Sequence, residues 1–482
     1  MNSTVNNSSG ACQPSAVSSE THANTHQCLR VMMLVNNPCV SDARVIRQAE
    51  ALANYGHEVL VLAHESAGVV NEERINGVTY LRVAVRGRAG WLPFLRGGTS
   101  PNDVETNLLP LSSDVLARAA QRDSARVSGT KLSARGVGAS PKRDTLRRVM
   151  WLLKHLVAAL VTSGAIKVLR HALNYPPIAK TWRPNVVHAH DLCTLLAGFR
   201  IARQAGSSLV YDSHELEVGR SGNFSRWDGF LRASIERWLI TKAAAVVTVS
   251  DSIADFLANR YPIPRPTVIH NAPQIVRKKS HGEDVRAHLG LDENTRLAVY
   301  VGRITTSRGL EESVAALPFA ADFNLVCVGP QAPATVCGLM NRARELGVAD
   351  RLHILPPVDH DKVTAFIESA DLSLVLIQDT CLSYHFSFPN KLLESLFAGV
   401  PVVASNLPEI AAVIERTKAG LVIDQTDPQA IADSMQTIAS NRQSFVPTAR
   451  VLTELVEIFG LEVQNRRLID LYERLNGENV VL

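Results

Sequence analysis

The sequence predicts an α/β protein built from two doubly wound, Rossmann-like domains. Three observations carry that expectation. Short, uninterrupted apolar runs recur along the chain and read as strands buried in a parallel sheet. Amphipathic stretches of helical period lie between them, so the repeating unit is βαβ. The series breaks in a segment rich in Pro and charge, then starts again.

The 482-residue length fits two domains better than one. Residues 1–27 are polar, rich in Ser, Asn and Thr, and lack an apolar core; they read as a disordered tail. LRVMMLVNN (29–37) is the first strand, and DARVIRQAEALANYGHEVLVLA (42–63) is a helix, a stop at Gly56 and a second strand. Residues about 86–148 are rich in Arg, Ser and Gly with little periodicity and read as an insertion. The segment 147–173 that follows reads as one or two helices with apolar faces and basic residues Arg147, Arg148, Lys154, Lys167 and Arg170. A basic amphipathic helix can lie on an anionic membrane surface. A core-packed helix with a solvated basic side is the competing reading.

NVVHAH (185–190), SLVYDSHE (208–215), AVVTVS (245–250) and PTVIHN (266–271) complete an N-terminal domain of residues 28–270. From 271 to 449 a second domain follows, with strands at RLAVYVGR (296–303), NLVCVG (324–329), RLHILPPV (351–358), LSLVLI (372–377), the end of SFPNKLLESLFAGVPVVAS (387–405) and GLVID (420–424). Residues 450–482 read as one final helix with no following strand.

Composition excludes several classes. Fifty basic residues against 46 acidic ones leave no nucleic-acid footprint. Seven Cys without a CxxC pair point to a reducing compartment and away from a disulfide framework or zinc site. No run reaches the roughly 18 apolar residues of a membrane span. A cytoplasmic protein is expected.

In SFPNKLLESLFAG, Ser387 is the expected N-cap and Pro389 fits the first turn. Asn390, Lys391 and Glu394 then share one helix face. Free amides at a helix start, with Lys391 beside them, make an anion site suited to phosphate. Glu394, one turn deeper, can accept two hydrogen bonds from a vicinal diol. Diphosphate beside ribose is a nucleoside diphosphate. A surface Lys–Glu pair is the alternative. In VGRITTSRGL, Arg303 stands just past a strand's C-terminal end, where open α/β sheets bind ligands, and Arg308 lies five residues on. Two guanidinium groups suit a departing diphosphate. His188 and His190 share a strand face and, with Asp191, resemble metal ligands, but no matching Cys or Asp cluster accompanies them and no metal site is expected. DSHE (212–215) reads either as an acceptor-side wall or as loop capping.

Taken in order, these segments and LPEIAAVIERTKAGLVI resemble the retaining glycosyltransferases with two Rossmann domains facing across a cleft, the GT-B fold, and in particular family 4. The resemblance covers about residues 28–475, the insertion excepted. It implies a nucleoside-diphosphate-sugar donor held by Gly302, Asn390, Lys391, Glu394 and the main chain at Leu392 and Leu393. Arg303 resembles the phosphate-binding Arg, and Arg308 takes a place usually held by Lys. His190 resembles the His that approaches the sugar's anomeric side, and Glu394 the residue on the ribose. Two departures stand out. Phe386 occupies the place of a carboxylate that normally contacts the donor sugar, with His385 a candidate stand-in. NNPCVSDAR lacks the usual Gly-Gly, so Asp42 and Arg44 are expected to face the acceptor, with Asp191, His214 and Glu215.

The resemblance thus implies transfer to a glycan or polyprenyl-linked acceptor in bacterial cell-surface polysaccharide synthesis, with no cofactor beyond the donor substrate and no nucleic-acid partner. Peripheral membrane contact through 147–173, at the inner face, and a final helix crossing back to the N-terminal domain belong to the same expectation. A sugar-nucleotide epimerase of this fold and a non-catalytic partner are the rival readings.

Overall fold

The computed structural model describes residues 27–84, 164–220, 226–273 and 284–477. The insertion at 86–148, residues 1–26 of the tail and residues 147–163 of the basic segment lie outside the described residues.

The N-terminal sheet contains β1 (Arg30–Leu34), β2 (Glu58–His64), β3 (Glu72–Ile75), β4 (Val78–Val83), β5 (Val186–His190), β6 (Ser208–Ser213), β7 (Ala245–Thr248) and β8 (Thr267–Val268). Their order is β3-β4-β2-β1-β5-β6-β7-β8. All neighbours run parallel except β3 and β4. The second sheet contains β9 (Arg296–Val301), β10 (Phe323–Val328), β11 (Leu352–Leu355), β12 (Leu372–Val375), β13 (Val402–Ser405) and β14 (Gly420–Ile423), ordered β11-β10-β9-β12-β13-β14 and all parallel. Among the parallel strands of each sheet the chain order reverses once, beside β1–β5 and beside β9–β12. Those switch points are where a doubly wound sheet opens a crevice at its strand ends.

Ten helices matter below: α1 (Ala43–Asn54), α2 (Gly164–Asn174), α3 (Asp191–Ala205), α4 (Arg226–Ile240), α5 (Asp251–Arg260), α6 (Leu310–Ala316), α7 (Asn390–Phe397), α8 (Pro408–Thr417), α9 (Ala449–Phe459) and α10 (Leu461–Gly477).

Two features depart from the sequence expectation. The hairpin β3–β4 was not anticipated, although Asn76-Gly77 marks its turn; both residues have positive φ, as a two-residue hairpin requires. The final helix is two helices. The chain turns extended at Gly460 (ψ 147°), where a Cβ would stand 2.4 Å from the Val456 carbonyl oxygen. The break lets α9 bury Leu455 and Phe459 with Leu392 and Leu396 of the C-terminal domain. Meanwhile α10 buries Leu468, Leu471, Tyr472 and Leu475 against Val31, Met33, Val45 and Leu52 of the N-terminal domain.

The two domains also touch directly. Ser250 Oγ donates to the Phe386 carbonyl at 2.9 Å, and the Ser252 amide donates to Glu409 Oε1 of α8 at 2.6 Å. The Phe386 ring packs on the N-terminal core beside Phe256, with ring centroids 6.0 Å apart. Gly219 approaches so closely that a Cβ there would lie 2.6 Å from the Leu382 Cβ.

Candidate functional site

A cleft of about 870 Å³ opens between the domains. Its N-terminal wall includes Cys39, Asp42, Arg44, His214 and Glu215; Arg303, His360 and Asn390 come from the C-terminal domain. Six expected site residues, Asp42, Arg44, His214, Glu215, Arg303 and Asn390, therefore share this one opening. Cys39 and His360 were not anticipated; each sits in a loop near a strand end, a placement that in sequence carries no chemistry of its own.

On the C-terminal side, β9 delivers Gly302 and Arg303 at the strand's end. Gly302 has φ +126°, and the next strand's Gly329 packs against it: a Cβ there would lie 2.1 Å from the Gly302 oxygen. Tyr300 Oη donates to the Arg303 carbonyl at 2.8 Å and fixes the loop. Ser307 and Gly309 both take positive φ before α6 begins. A Cβ on Gly309 would meet the Leu376 oxygen at 2.2 Å, so the turn carrying Arg308 requires glycine. The Arg308 guanidinium lies over the Tyr384 ring, 4.8 Å from its centroid.

Helix α7 starts two residues later than expected. Ser387 is not the cap: its Oγ donates to the Tyr384 carbonyl at 2.8 Å, and Pro389 (φ −80°, ψ 135°) occupies the N-cap. Proline supplies no side-chain acceptor, so the first amides of α7 have no cap of their own. Asn390 at this start faces the cleft, while Leu392 and Leu393 bury their side chains in the core.

Lys391 and Glu394 are 7% and 6% exposed, which removes the reading of a surface ion pair. Lys391 Nζ sits over the Tyr300 ring, 4.0 Å from the centroid. Burial, then Arg308, holds its ammonium well below the usual range, with Glu394 opposing. Burial pushes the Glu394 carboxyl up to about 7, against the pull of Arg47 and Lys391. Arg47 comes from α1, so Glu394 feels charge from both domains.

The N-terminal wall is organised around Asp212, fully buried at the end of β6. Arg44 Nε and Nη2 donate to its two oxygens at 3.0 and 2.9 Å, and Gln48 Nε2 donates to Oδ2 at 3.0 Å. Burial opposes ionisation, but Arg44 and then His214 hold the carboxyl well below its usual range. Arg44 also donates to the Ile269 carbonyl and Asn271 Oδ1. Its guanidinium is thus tied to β6 and to the loop after β8, on a residue that lines the cleft. Asp42 caps α1 and accepts from Asn37 Nδ2 at 2.8 Å.

His190 ends β5 and is 2% exposed. It stacks on His188 with centroids 4.4 Å apart, and its Nδ1 lies 3.1 Å from His214 Nε2. Burial, then His188, keeps His190 well below the usual imidazole range; burial takes His188 down to about 4. His214 behaves oppositely. Burial disfavours its charge, but Asp191 and Asp212 outweigh burial and raise it to about 9. Asp191 adopts φ +62°, an unusual conformation for a non-glycine residue, where β5 turns into α3. The wall therefore offers one imidazolium, His214, in front of two neutral imidazoles.

His188, His190 and Asp212 bring one donor atom each within 4.8 Å of one another. Both Asp212 oxygens already accept from Arg44, so a cation there would have to displace a guanidinium. Phe386 is turned toward the N-terminal core, and the neighbouring His385 pairs with Asp379 at 2.9 Å.

Known proteins resemble this chain in sequence and in fold. The family described as "Glycosyl transferases group 1" matches residues 282–453, and the "Glycosyl transferase 4-like domain" matches residues 111–272. Glycogen synthase of Mycobacterium tuberculosis is 25% identical over 273 residues, 54% of this chain and 61% of that protein. The match thus spans about three fifths of that relative's length. Sucrose-phosphate synthase from Thermosynechococcus elongatus superposes with a TM-score of 0.67 at 15% identity, covering 93% of this chain and 99% of that one. The Anabaena HepE structure in complex with UDP-glucose gives 0.60 at 14% identity, covering 92% and 100%.

Proposed function

The chain belongs to the glycosyltransferases of the two-domain GT-B fold and family 4 type, and on that premise we propose that it moves a sugar from a nucleoside-diphosphate sugar to a glycan or lipid-linked acceptor. One observation carries the proposal. Arg303 and the open start of α7 at Asn390 face, across a single cleft, a wall bearing the imidazolium of His214. Behind Asn390, Lys391 and Glu394 stand buried one helical turn apart.

In this reading the diphosphate lies between Arg303, Arg308 and the α7 start, where amides and guanidinium groups offset the charge that grows as the sugar–phosphate bond breaks. Glu394 accepts the ribose hydroxyls. That HepE was solved with UDP-glucose supports a nucleotide sugar as donor. The acceptor approaches along the N-terminal wall, past Glu215 and His214. His190 presents a neutral ring toward the sugar, and the Asp212–Arg44 pair anchors the loops behind it. Transfer proceeds with retention: acceptor oxygen and leaving phosphate share one face, and the phosphate takes the acceptor's proton. A bacterial cell-surface glycan is the product class.

Titration calorimetry with UDP, GDP and ADP tests donor binding. At least one should bind, and Glu394→Ala should weaken it. Arg303→Ala should lower transfer on the order of 100-fold through lost leaving-group stabilisation. A chain that binds none of the three nucleotides would sink the proposal.

A further inference from the structure

The sheet face that α1 and α10 cover is apolar toward one end of its strands and polar toward the other. Val31 and Met33 of β1, Val186 of β5 and Val210 of β6 cluster with Leu468, Leu471 and Leu475 of α10. Strand alternation then brings His188, His190 and Asp212 onto the same face, nearer the cleft. His188 is fully buried in mid-sheet, in register with Met33 and Val210. Buried that deeply, its ring nitrogens must find partners within the protein. One partner comes from the last helix: Tyr472 Oη lies 2.8 Å from His188 Nδ1, and both side chains are 0% exposed. The Tyr472 ring is packed by His188 and His57, with centroids 6.1 and 6.2 Å away.

The protons along this chain of contacts follow from the charges around it. Asp212 is ionised, since both its oxygens accept from Arg44. His188 Nε2 lies 3.8 Å from Asp212 Oδ2 and has no hydrogen-bond partner among the described residues. A lone pair on Nε2 would face that anion unfavourably; an N–H faces it favourably. His188 therefore carries its proton on Nε2, and its Nδ1 accepts from the Tyr472 hydroxyl. Burial keeps that hydroxyl protonated, well above its usual range. At the next ring, the imidazolium of His214 donates from Nε2 to His190 Nδ1 at 3.1 Å. The proton of neutral His190 is then on Nε2, a buried nitrogen with no partner among the described residues. The His188 and His190 rings stack at 13° with centroids 4.4 Å apart, so moving one ring moves the other.

We propose that Tyr472 is a positioning residue for transfer: delivered by α10 from the far end of the chain, its hydroxyl tethers His188 and through that ring holds His190 in place. The proposal rests on the functional reading above, in which His190 presents its ring to the sugar. The group it offers there is the Nε2–H. The last helix thus completes the site as well as the core.

NMR of the full chain with ring-15N-labelled histidine, without donor or acceptor, tests the tether. In the wild type, His188 and His190 should each be protonated on Nε2 alone. Tyr472→Phe keeps the ring and its packing and removes only the hydroxyl. It leaves His188 Nδ1 without a donor, so the His190 signals should shift or split between tautomers. Leu475→Ala, one turn further along α10, is the packing control. It should lower the urea midpoint and leave the His190 signals in place. Cleavage of UDP-glucose, GDP-mannose or ADP-glucose, whichever the wild type uses, gives the kinetic readout. In Tyr472→Phe kcat should fall about tenfold or more with the donor KM unchanged, and Leu475→Ala should keep the wild-type kcat. A wild-type His188 protonated on Nδ1, or His190 signals unmoved in Tyr472→Phe, would overturn the proposal. So would an unchanged kcat in Tyr472→Phe, or a Leu475→Ala chain that reproduces its effects. A chain that neither cleaves a sugar nucleotide nor binds a nucleoside diphosphate would overturn the functional reading instead, and the spectra would still decide whether Tyr472 holds His190.

Discussion

Two buried acids in this molecule titrate in opposite senses, and each gives a measurable consequence. Glu394 is raised from 4.5 to about 7 in the folded chain. A raised carboxyl contributes most below its unfolded value, and that contribution is lost as pH climbs through about 7. Glu394→Gln should therefore gain stability relative to wild type between pH 5 and pH 8, by up to about 3 kcal/mol, read by chemical denaturation. Nucleotide affinity should move the other way and strengthen as Glu394 ionises. A pH-independent difference between the two proteins would refute the assignment. Asp212 is held ionised chiefly by Arg44, and after Asp191 it helps to raise His214 to about 9 against burial. Asp212→Asn should bring the His214 titration, followed by NMR, down toward 6.5. A midpoint still near 9 would show that Asp191 suffices. Neither effect is legible in sequence, because Arg44 and Asp212 are 168 residues apart and only the fold joins them.

At the scale of elements, the turn between β9 and α6 is the most constrained piece of backbone around the donor side. Gly309→Ala should cost about 2 kcal/mol or more in urea denaturation, since its φ is +71° and its Cβ would strike the Leu376 carbonyl. Nucleotide affinity should fall with it, because Arg308 is the preceding residue. Gly338→Ala, in a helix with open space around the site, serves as the control and should be neutral or slightly stabilising. Parallel strands such as β1 and β9 were readable because both their faces are buried, which leaves an unbroken apolar run. Arg303 and Asn390 were readable because a strand end and a helix start announce themselves through flanking Gly and Pro. The hairpin β3–β4 was not, since EERI is mostly exposed and carries no alternation, and only Asn76-Gly77 betrays it. The Gly460 break was missed for a different reason: apolar residues of helical period continue on both sides of it, and only packing shows that they serve two cores.

For the whole molecule, Phe386 does structural duty in the place where a sugar-contacting carboxylate was anticipated. It joins the C-terminal domain to the N-terminal core, assisted by the Ser250 and Ser252 bonds. Phe386→Ala should loosen this contact and raise the radius of gyration in small-angle scattering, with both domains still folded by circular dichroism. An unchanged radius would show that the remaining contacts and α10 hold the domains alone.

The splayed pair α9–α10 also bears on how the protein is made. The N-terminal domain leaves the ribosome first, yet Leu468, Leu471, Tyr472 and Leu475 are the last pieces of its core. With some 200 residues still to be translated after β8, that apolar face stays uncovered for roughly ten to forty seconds at ordinary elongation rates. Biosynthesis thus runs through an unfinished intermediate whose exposed flank is a natural client for chaperones. A chain interrupted before α10 would carry that flank permanently, and so would any truncation made at Gly460.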